Sequence, residues 1–345
     1  MIGVTFLRAL EYMRAPHPVP HLLMEEGDVM AEAGNNRLSH PDAILIATNL
    51  SDLHRVMPFA IQMACETGAD LQLLHILPTS AEFTAGAVGM PYYDREGAFS
   101  CASNMLDPWR ERARKLGVQC TVVVREGSPV VQEIIAAGRQ LRPDRLLLGT
   151  RSLSRLGKLF LGSVAEQVLR SVNLPVFTVG PEAYLPTEES SRQPTILFAT
   201  TLGEGHQVNA ALACQLAASQ KATLILLNVL PATQEESWSG CSNILHSTVL
   251  YELQQLAHRI NDDSCTEVDI RVAHGCPATE ILAQAEANHA SLIVMGAADH
   301  SLFDSITHDR TLCQVLAHAH CPILSLHGTA TAETFLEHEA LALHS

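Results

Sequence analysis

The chain carries the same text twice. The run ILIATNLSDLHRVMPFAIQMACETGADLQLLHILP begins at Ile44, and ILFATTLGEGHQVNAALACQLAASQKATLILLNVLP begins at Ile196. Both read as a short β-rich run, a polar turn, an alanine-rich helical stretch, a second apolar run and a proline. Further on, REGSPVVQEIIAAGRQLRPDRLLLGTRS is answered by VAHGCPATEILAQAEANHASLIVMGAADHS, and LGSVAEQVLRSVNLPVFTVG by HDRTLCQVLAHAHCPILSLH. The matches stay in order, with a period of about 150 residues, the size of a domain rather than of a solenoid unit. A chain built this way folds as two similar domains, and any site must be looked for in both copies.

Within the first copy the apolar runs at 44–48, 71–76, 120–124, 145–149 and 175–179 are short and rich in Leu, Ile and Val. Longer helical patterns separate them. Val130, Ile134, Ile135 and Gly138 share one helical face behind the start signal Ser128-Pro129. Short apolar strands alternating with helices predict right-handed crossovers and a parallel sheet covered on both faces. Hydrophobic residues make up 47% of the chain and aromatics only 5%, so the cores should be aliphatic and alanine-rich. The expected fold class is α/β: two tandem doubly wound, Rossmann-like parallel-sheet domains. The expected divisions are an extension over 1–40, a first domain over 41–181, a linker over 182–193, a second domain over 194–328 and a tail over 329–345.

The formal net charge of −15 argues against a nucleic-acid binder, which needs a basic face, but leaves room for a small anionic ligand held by backbone amides. Nine cysteines, with no CxxC pair, read as reduced thiols of a cytoplasmic protein rather than a disulfide framework. The opening MIGVTFLRALEYM is broken by Arg8 and Glu11, too short to span a bilayer, and lacks a secretory pattern. Ile2, Phe6, Leu10 and Met13 fit one face of a short docking helix, or a frayed extension. Met24 and Met30 are alternative internal starts. No membrane partner is expected.

In doubly wound sheets, ligands sit beyond the carboxyl ends of the strands where the winding reverses. The loops after Thr48, Ile76 and Leu148 are therefore the ones to inspect. The third, GTRSLSRLGKLFLGS from Gly149 to Ser163, runs from a strand end into a helix starting near Ser163, where amides and the positive helix end converge.

These residues resemble the universal stress proteins, as a tandem two-domain member, over roughly Pro41 to His327. Nucleotide-binding members carry G-x2-G-x9-G-[ST] after the fourth strand; here Gly149, Ser152, Gly162 and Ser163 fall at that spacing, with Ser152 in place of the second glycine. The flanks LLLG, SVAEQVLR and NLPVFTVG agree as well. The resemblance implies an ATP-like ligand in the first copy, with magnesium as a companion and no metal demanded by the residues themselves. It implies that Asn49, usually Asp in ATP-binding relatives, contacts the nucleoside and that Ile76 packs on the base. Leu148 and Gly149 would bring main chain near the ribose and phosphates, and Gly162, Ser163 and Val164 would offer amides and a hydroxyl. Asn49 loses a charge-assisted contact, and serine at 152 is disfavoured if that position needs a positive φ. Arg151, Arg155 and Lys158 are either counter-charges or solvated loop cations.

In the second copy the equivalent stretch is GAADHSLFDSITHDR, Gly296 to Arg310. Asp299 replaces Ser152, Asp309-Arg310 replaces Gly162-Ser163 and Thr201 replaces Asn49. A carboxylate about 4 Å from a phosphate costs on the order of 1–4 kcal/mol, so this copy should bind no triphosphate. The resemblance gives it a structural part instead, pairing its fifth strand (322–326) with that of the first copy (175–179) as a pseudo-dimer and covering an apolar edge; a homodimer of whole chains is compatible with this. A metal reading rests on His300, His308, His318 and His320 with Asp299, Asp304 and Asp309. Against it, residues two apart on a helix do not share a face, so the reading adopted is no metal site.

There is no HxGH or KMSKS-like pair, no SGGxDS, GxSxG, HExxH or Walker loop. Asp52 and His54 fit the first turn of a helix better than an acid/base pair. The expected function is an ATP-binding regulatory stress protein acting on unidentified protein partners. The alternatives are a nucleotide-free interaction or chaperone-like scaffold and, third, a slow ATPase.

Overall fold

The computed structural model describes residues 38, 40–79, 94–150, 163–172, 174–185, 193–203, 205–230, 232, 239–261, 266–297 and 306–327. In the first half, β1 (Ala43–Thr48), α1 (Leu53–Thr67), β2 (Asp70–Leu77), α2 (Arg95–Lys115) and β3 (Cys120–Glu126) follow in turn. They lead into α3 (Val130–Leu141), β4 (Arg145–Gly149), α4 (Ser163–Ser171) and β5 (Val176–Val179). The second half repeats the order with β6 (Thr195–Ala199), α5 (His206–Ser219), β7 (Thr223–Leu230), α6 (Ser239–Asn261) and β8 (Val268–His274). It closes with α7 (Pro277–Ala287), β9 (Leu292–Ala297), α8 (Ile306–His318) and β10 (Ile323–His327). The strands fall within two residues of where the apolar runs place them. On α3 the buried residues are Val131, Ile134 and Ala137, so the core face lies between the expected positions rather than on all of them.

The ten strands form one sheet in the order β3-β2-β1-β4-β5-β10-β9-β6-β7-β8. All pairs within each half are parallel. The halves meet through an antiparallel β5–β10 pair, with Thr178 opposite Ile323, Phe177 opposite Leu324 and Val176 opposite Ser325. Phe177 and Leu324 are equivalent residues of the two copies, so a pseudo-twofold axis passes between them. Each fifth strand would otherwise be an apolar sheet edge, a template for unwanted pairing. Val176 to Val179 are all buried.

Alternation along the strands sorts side chains into two helical layers. Ile44 and Ile46 join α1, α2, α5 and α6 in one aliphatic cluster, whereas Leu45 and Ala47 join α3, α4, α7 and α8 in the other. Both clusters draw on both halves. The segment after β5 is docked as well: Tyr184 N–H donates to His320 C=O at 3.0 Å, and Ala183 and Leu185 pack on the first cluster. At the opposite end of the first half, Arg145 is 1% exposed and donates to the Leu38 carbonyl. Its guanidinium stands 5.2 Å from the Phe177 ring centroid, and burial lowers its pKa to about 10.

Candidate functional site

The winding of the first half reverses between β1 and β4, which puts a crevice at the carboxyl ends of those strands. β1 runs beside both β2 and β4, with Thr48 opposite His75 and Ala47 opposite Leu148. A tight polar turn leaves β1. The Thr48 hydroxyl accepts the Leu50 N–H at 3.0 Å, and the Asn49 side-chain oxygen accepts both the N–H (2.9 Å) and the hydroxyl (2.6 Å) of Ser51. Leu50 is held at φ +73°, a left-handed conformation that a leucine adopts only when its surroundings impose it.

The second half builds the same turn. Leu202 sits at φ +57° and gives its N–H to the Thr200 hydroxyl at 3.1 Å. His75 Nδ1 lies 2.9 Å from the Thr48 carbonyl, and at the equivalent place Asn228 Nδ2 donates to the Thr200 carbonyl at 2.8 Å. The carbonyl accepts, so Nδ1 of His75 carries a proton, as it does in one neutral tautomer and in the imidazolium alike. Burial lowers the His75 pKa, against the raising effects of the Thr48 bond and the Asp52 charge. Two different side chains supply one donor to one carbonyl, which makes that bond a requirement of the turn.

Asp52 departs from the role expected of it. It stands at the N-cap of α1, but its carboxylate caps no helix amide. It accepts the Thr48 hydroxyl at 2.5 Å and is 2% exposed. The other oxygen points at Gly149: a Cβ built there would lie 2.4 Å from Asp52 Oδ2 and 2.8 Å from Val56 Cγ2. Glycine at this strand end is needed first for the approach of α1. In the second half a Cβ built on Gly296 would lie 3.3 Å from Asn209 Nδ2 of α5. Next to Gly149, Arg55 donates to the Thr150 carbonyl at 2.9 Å, and Thr150 N–H donates to Val179 C=O at 3.0 Å. Gln207 and Ala297 occupy those positions in the second copy.

The expected contact residues separate into groups. Asn49 is exposed at the crevice. Ile76 and Leu148 are buried, 6% and 3% exposed, in the aliphatic layer with Val131 and Ile134. Ser152 and Gly162 lie outside the described residues, as do Arg151, Arg155 and Lys158. Ser163 is the first residue of α4 and Val164, exposed, the second. The N–H groups in the first turn of a helix have no intrahelical acceptor. In the second copy α8 begins at Ile306, so Asp309 and Arg310, equivalent to Gly162 and Ser163, already lie inside the helix. Backbone N–H groups there point along the helix to carbonyls four residues back.

Sequence reasoning missed Asp52 as the neighbour of Gly149, Arg55 as the clamp on Thr150 and His75 as the donor to Thr48. The one available signal was the pairing of His75 with Asn228 across the repeat. The histidines of the metal reading go elsewhere: His318 Nδ1 and His320 Nε2 lie 3.2 Å and 3.9 Å from Glu182. His300 and Asp299 lie outside the described residues, and among the described residues no three His, Cys, Asp or Glu side chains are placed to hold a metal. No described helix is long and apolar enough to cross a membrane.

Fold and crevice together define a tandem of doubly wound α/β domains, joined through their fifth strands and alike in their first-strand turns. The chain belongs to the universal stress protein family, whose model matches residues 41–180 and 194–327. It is 26% identical over 144 residues to the universal stress protein YxiE of Bacillus subtilis, covering 39% of this chain and 97% of that one. It is 28% identical over 145 residues to the universal stress protein MJ0531 of Methanocaldococcus jannaschii, 39% of this chain and 80% of the relative. A universal stress protein structure from Archaeoglobus fulgidus superimposes with TM-score 0.59 at 18% identity, over 83% of this chain and 96% of that one. A crystal structure of a functionally unknown protein from Pseudomonas aeruginosa PAO1 gives 0.56 at 17% identity, over 88% of this chain and 99% of that one.

Proposed function

We propose that the first half binds an adenine nucleotide of the ATP class, that the second half binds none, and that occupancy regulates how the chain meets protein partners. The observation that carries this reading is that Asp309 and Arg310, both within α8, stand where the first half has Gly162 and Ser163. In the first half, Ser163 is the first residue of α4 and Gly162 precedes it in the sequence. In the second, the equivalent residues lie within the helix and one of them is an aspartate. Exposed first-turn amides and a positive helix end bind anions, and amides inside a helix do not. The resemblance supplies the nucleotide class. The described residues hold no constellation that marks a dedicated catalyst, so binding rather than turnover is the proposed activity. A cytoplasmic setting goes with it.

Mass spectrometry of nucleotide co-eluting with the purified chain, and calorimetry with ATP and magnesium, test the reading. Binding of one equivalent is expected, abolished by Gly162→Asp and strengthened by Asn49→Asp, which restores a charged acceptor. Two equivalents would refute the loss of the second site. No bound nucleotide and no response to millimolar ATP would favour the scaffold reading that Asn49 and Ser152 suggest.

A further inference from the structure

The long second helix of each half is tied near its start to the end of the outer strand, and the two ties differ in chemistry. In the first half Arg95, opening α2, pairs with Glu126 at the end of β3. Glu126 corresponds to His274 at the end of β8, and there the partner is His246 on α6. His246 Nδ1 and His274 Nε2 are 2.9 Å apart, with ring planes 6° from parallel and centroids 5.2 Å apart. That centroid separation is the nitrogen–nitrogen distance plus the two ring radii, so the imidazoles meet end to end, one N–H pointing at the other ring's lone pair.

We infer that His246 and His274 form a proton-controlled latch, closed while the pair holds at least one acceptor nitrogen and opened when both rings are protonated. A neutral imidazole has one donor and one acceptor nitrogen, and an imidazolium has two donors. With one or no added proton, one ring still donates to the other. With two, N–H faces N–H and two positive charges meet across 2.9 Å. Histidine is the side chain that changes charge between about pH 5 and 8. A guanidinium and a carboxylate ordinarily keep their charges across that range.

The surroundings leave the pair's charge uncompensated along α6. From Ser239 to Tyr251 that helix carries no Asp, Glu, Lys or Arg, and its first is Glu252. On β8, Asp269 and Arg271 pair with each other, and Arg271 also binds Gln284. β7 has no titratable side chain, and on α5 His206 binds the Gly203 carbonyl while Cys214 bonds the Ile260 carbonyl. Cys276 and Glu280 follow β8, and Glu280 packs against Gly275. The latched turn also bears Ile244 and Leu245, 69% and 48% exposed, so opening changes how an apolar surface is held.

Hydrogen exchange of the full-length chain from pH 8 to pH 5, corrected for intrinsic exchange, reads the latch. Peptides covering 239–250 should lose protection about two- to tenfold as pH falls, the loss of one hydrogen bond, while those covering 95–105 do not. The double substitution His246→Arg and His274→Glu, which installs the first-half pair, should abolish the response. His274→Gln carries the same test should the double variant fail to fold, since its amide cannot gain a proton. Protection over 239–250 that ignores pH, or a response that persists in these variants, overturns the latch.

Discussion

Replacing Gly149 by alanine tests whether this glycine serves the packing of α1 rather than only a ligand. The new Cβ would lie 2.4 Å from Asp52 Oδ2 and 2.8 Å from Val56 Cγ2, in a site where those residues are 2% and 0% exposed. Neither neighbour has solvent to retreat into, and Asp52 is held by Thr48. Overpacking of this kind costs about 1–3 kcal/mol. The matched control is Gly296→Ala, whose closest contact among the described residues is 3.3 Å, to the end of the Asn209 side chain; a small adjustment suffices there, and the cost should stay under about 1 kcal/mol. Urea unfolding followed by circular dichroism, without nucleotide, gives the comparison. Adding Asp52→Ala to Gly149→Ala should recover about 0.5–3 kcal/mol relative to additivity, because the truncation vacates the space the methyl needs. Equal stability of the Gly149→Ala and Gly296→Ala proteins, or strict additivity with Asp52→Ala, would refute the packing argument.

The other predictions also exploit the duplication. His75 has a lowered folded pKa through burial, so below about pH 6.5, the unfolded value, the unfolded chain binds more protons and stability falls with pH. His75→Asn, the second copy's residue, should keep the bond to Thr48 and flatten this part of the acid dependence, read as the urea midpoint at pH 7 against pH 5. The hydroxyls of Thr178 and Ser325, on the two strands of the central antiparallel pair, are buried without a hydrogen-bond partner among the described residues. Thr178→Val should therefore raise stability by about 1 kcal/mol; a fall of that size in the same assay would reveal a hidden partner. Arg55→Gln, copying the second half, should loosen the strand end at Thr150, seen as faster amide exchange at Thr150 with the urea midpoint nearly unchanged.

The sequence by itself determined the duplication, the α/β class and the strand positions. Those follow from local properties: short Leu, Ile and Val runs, helical periodicity between them, and the repetition of both. It also pointed to the strand ends where the winding reverses, the place where doubly wound sheets hold ligands. Tertiary structure decided what the individual residues do there. Gly149 looks like a cradle residue along the chain, and only the placement of α1 shows Asp52 and Val56 filling the space a side chain would need. Asp52 itself reads as a helix-capping acid until Thr48 is seen beside it. The seam between halves, with Phe177 on Leu324, and the meeting of His246 with His274 were equally hidden. Local pattern reports what each segment will become, and contacts between segments far apart in sequence report what its side chains meet.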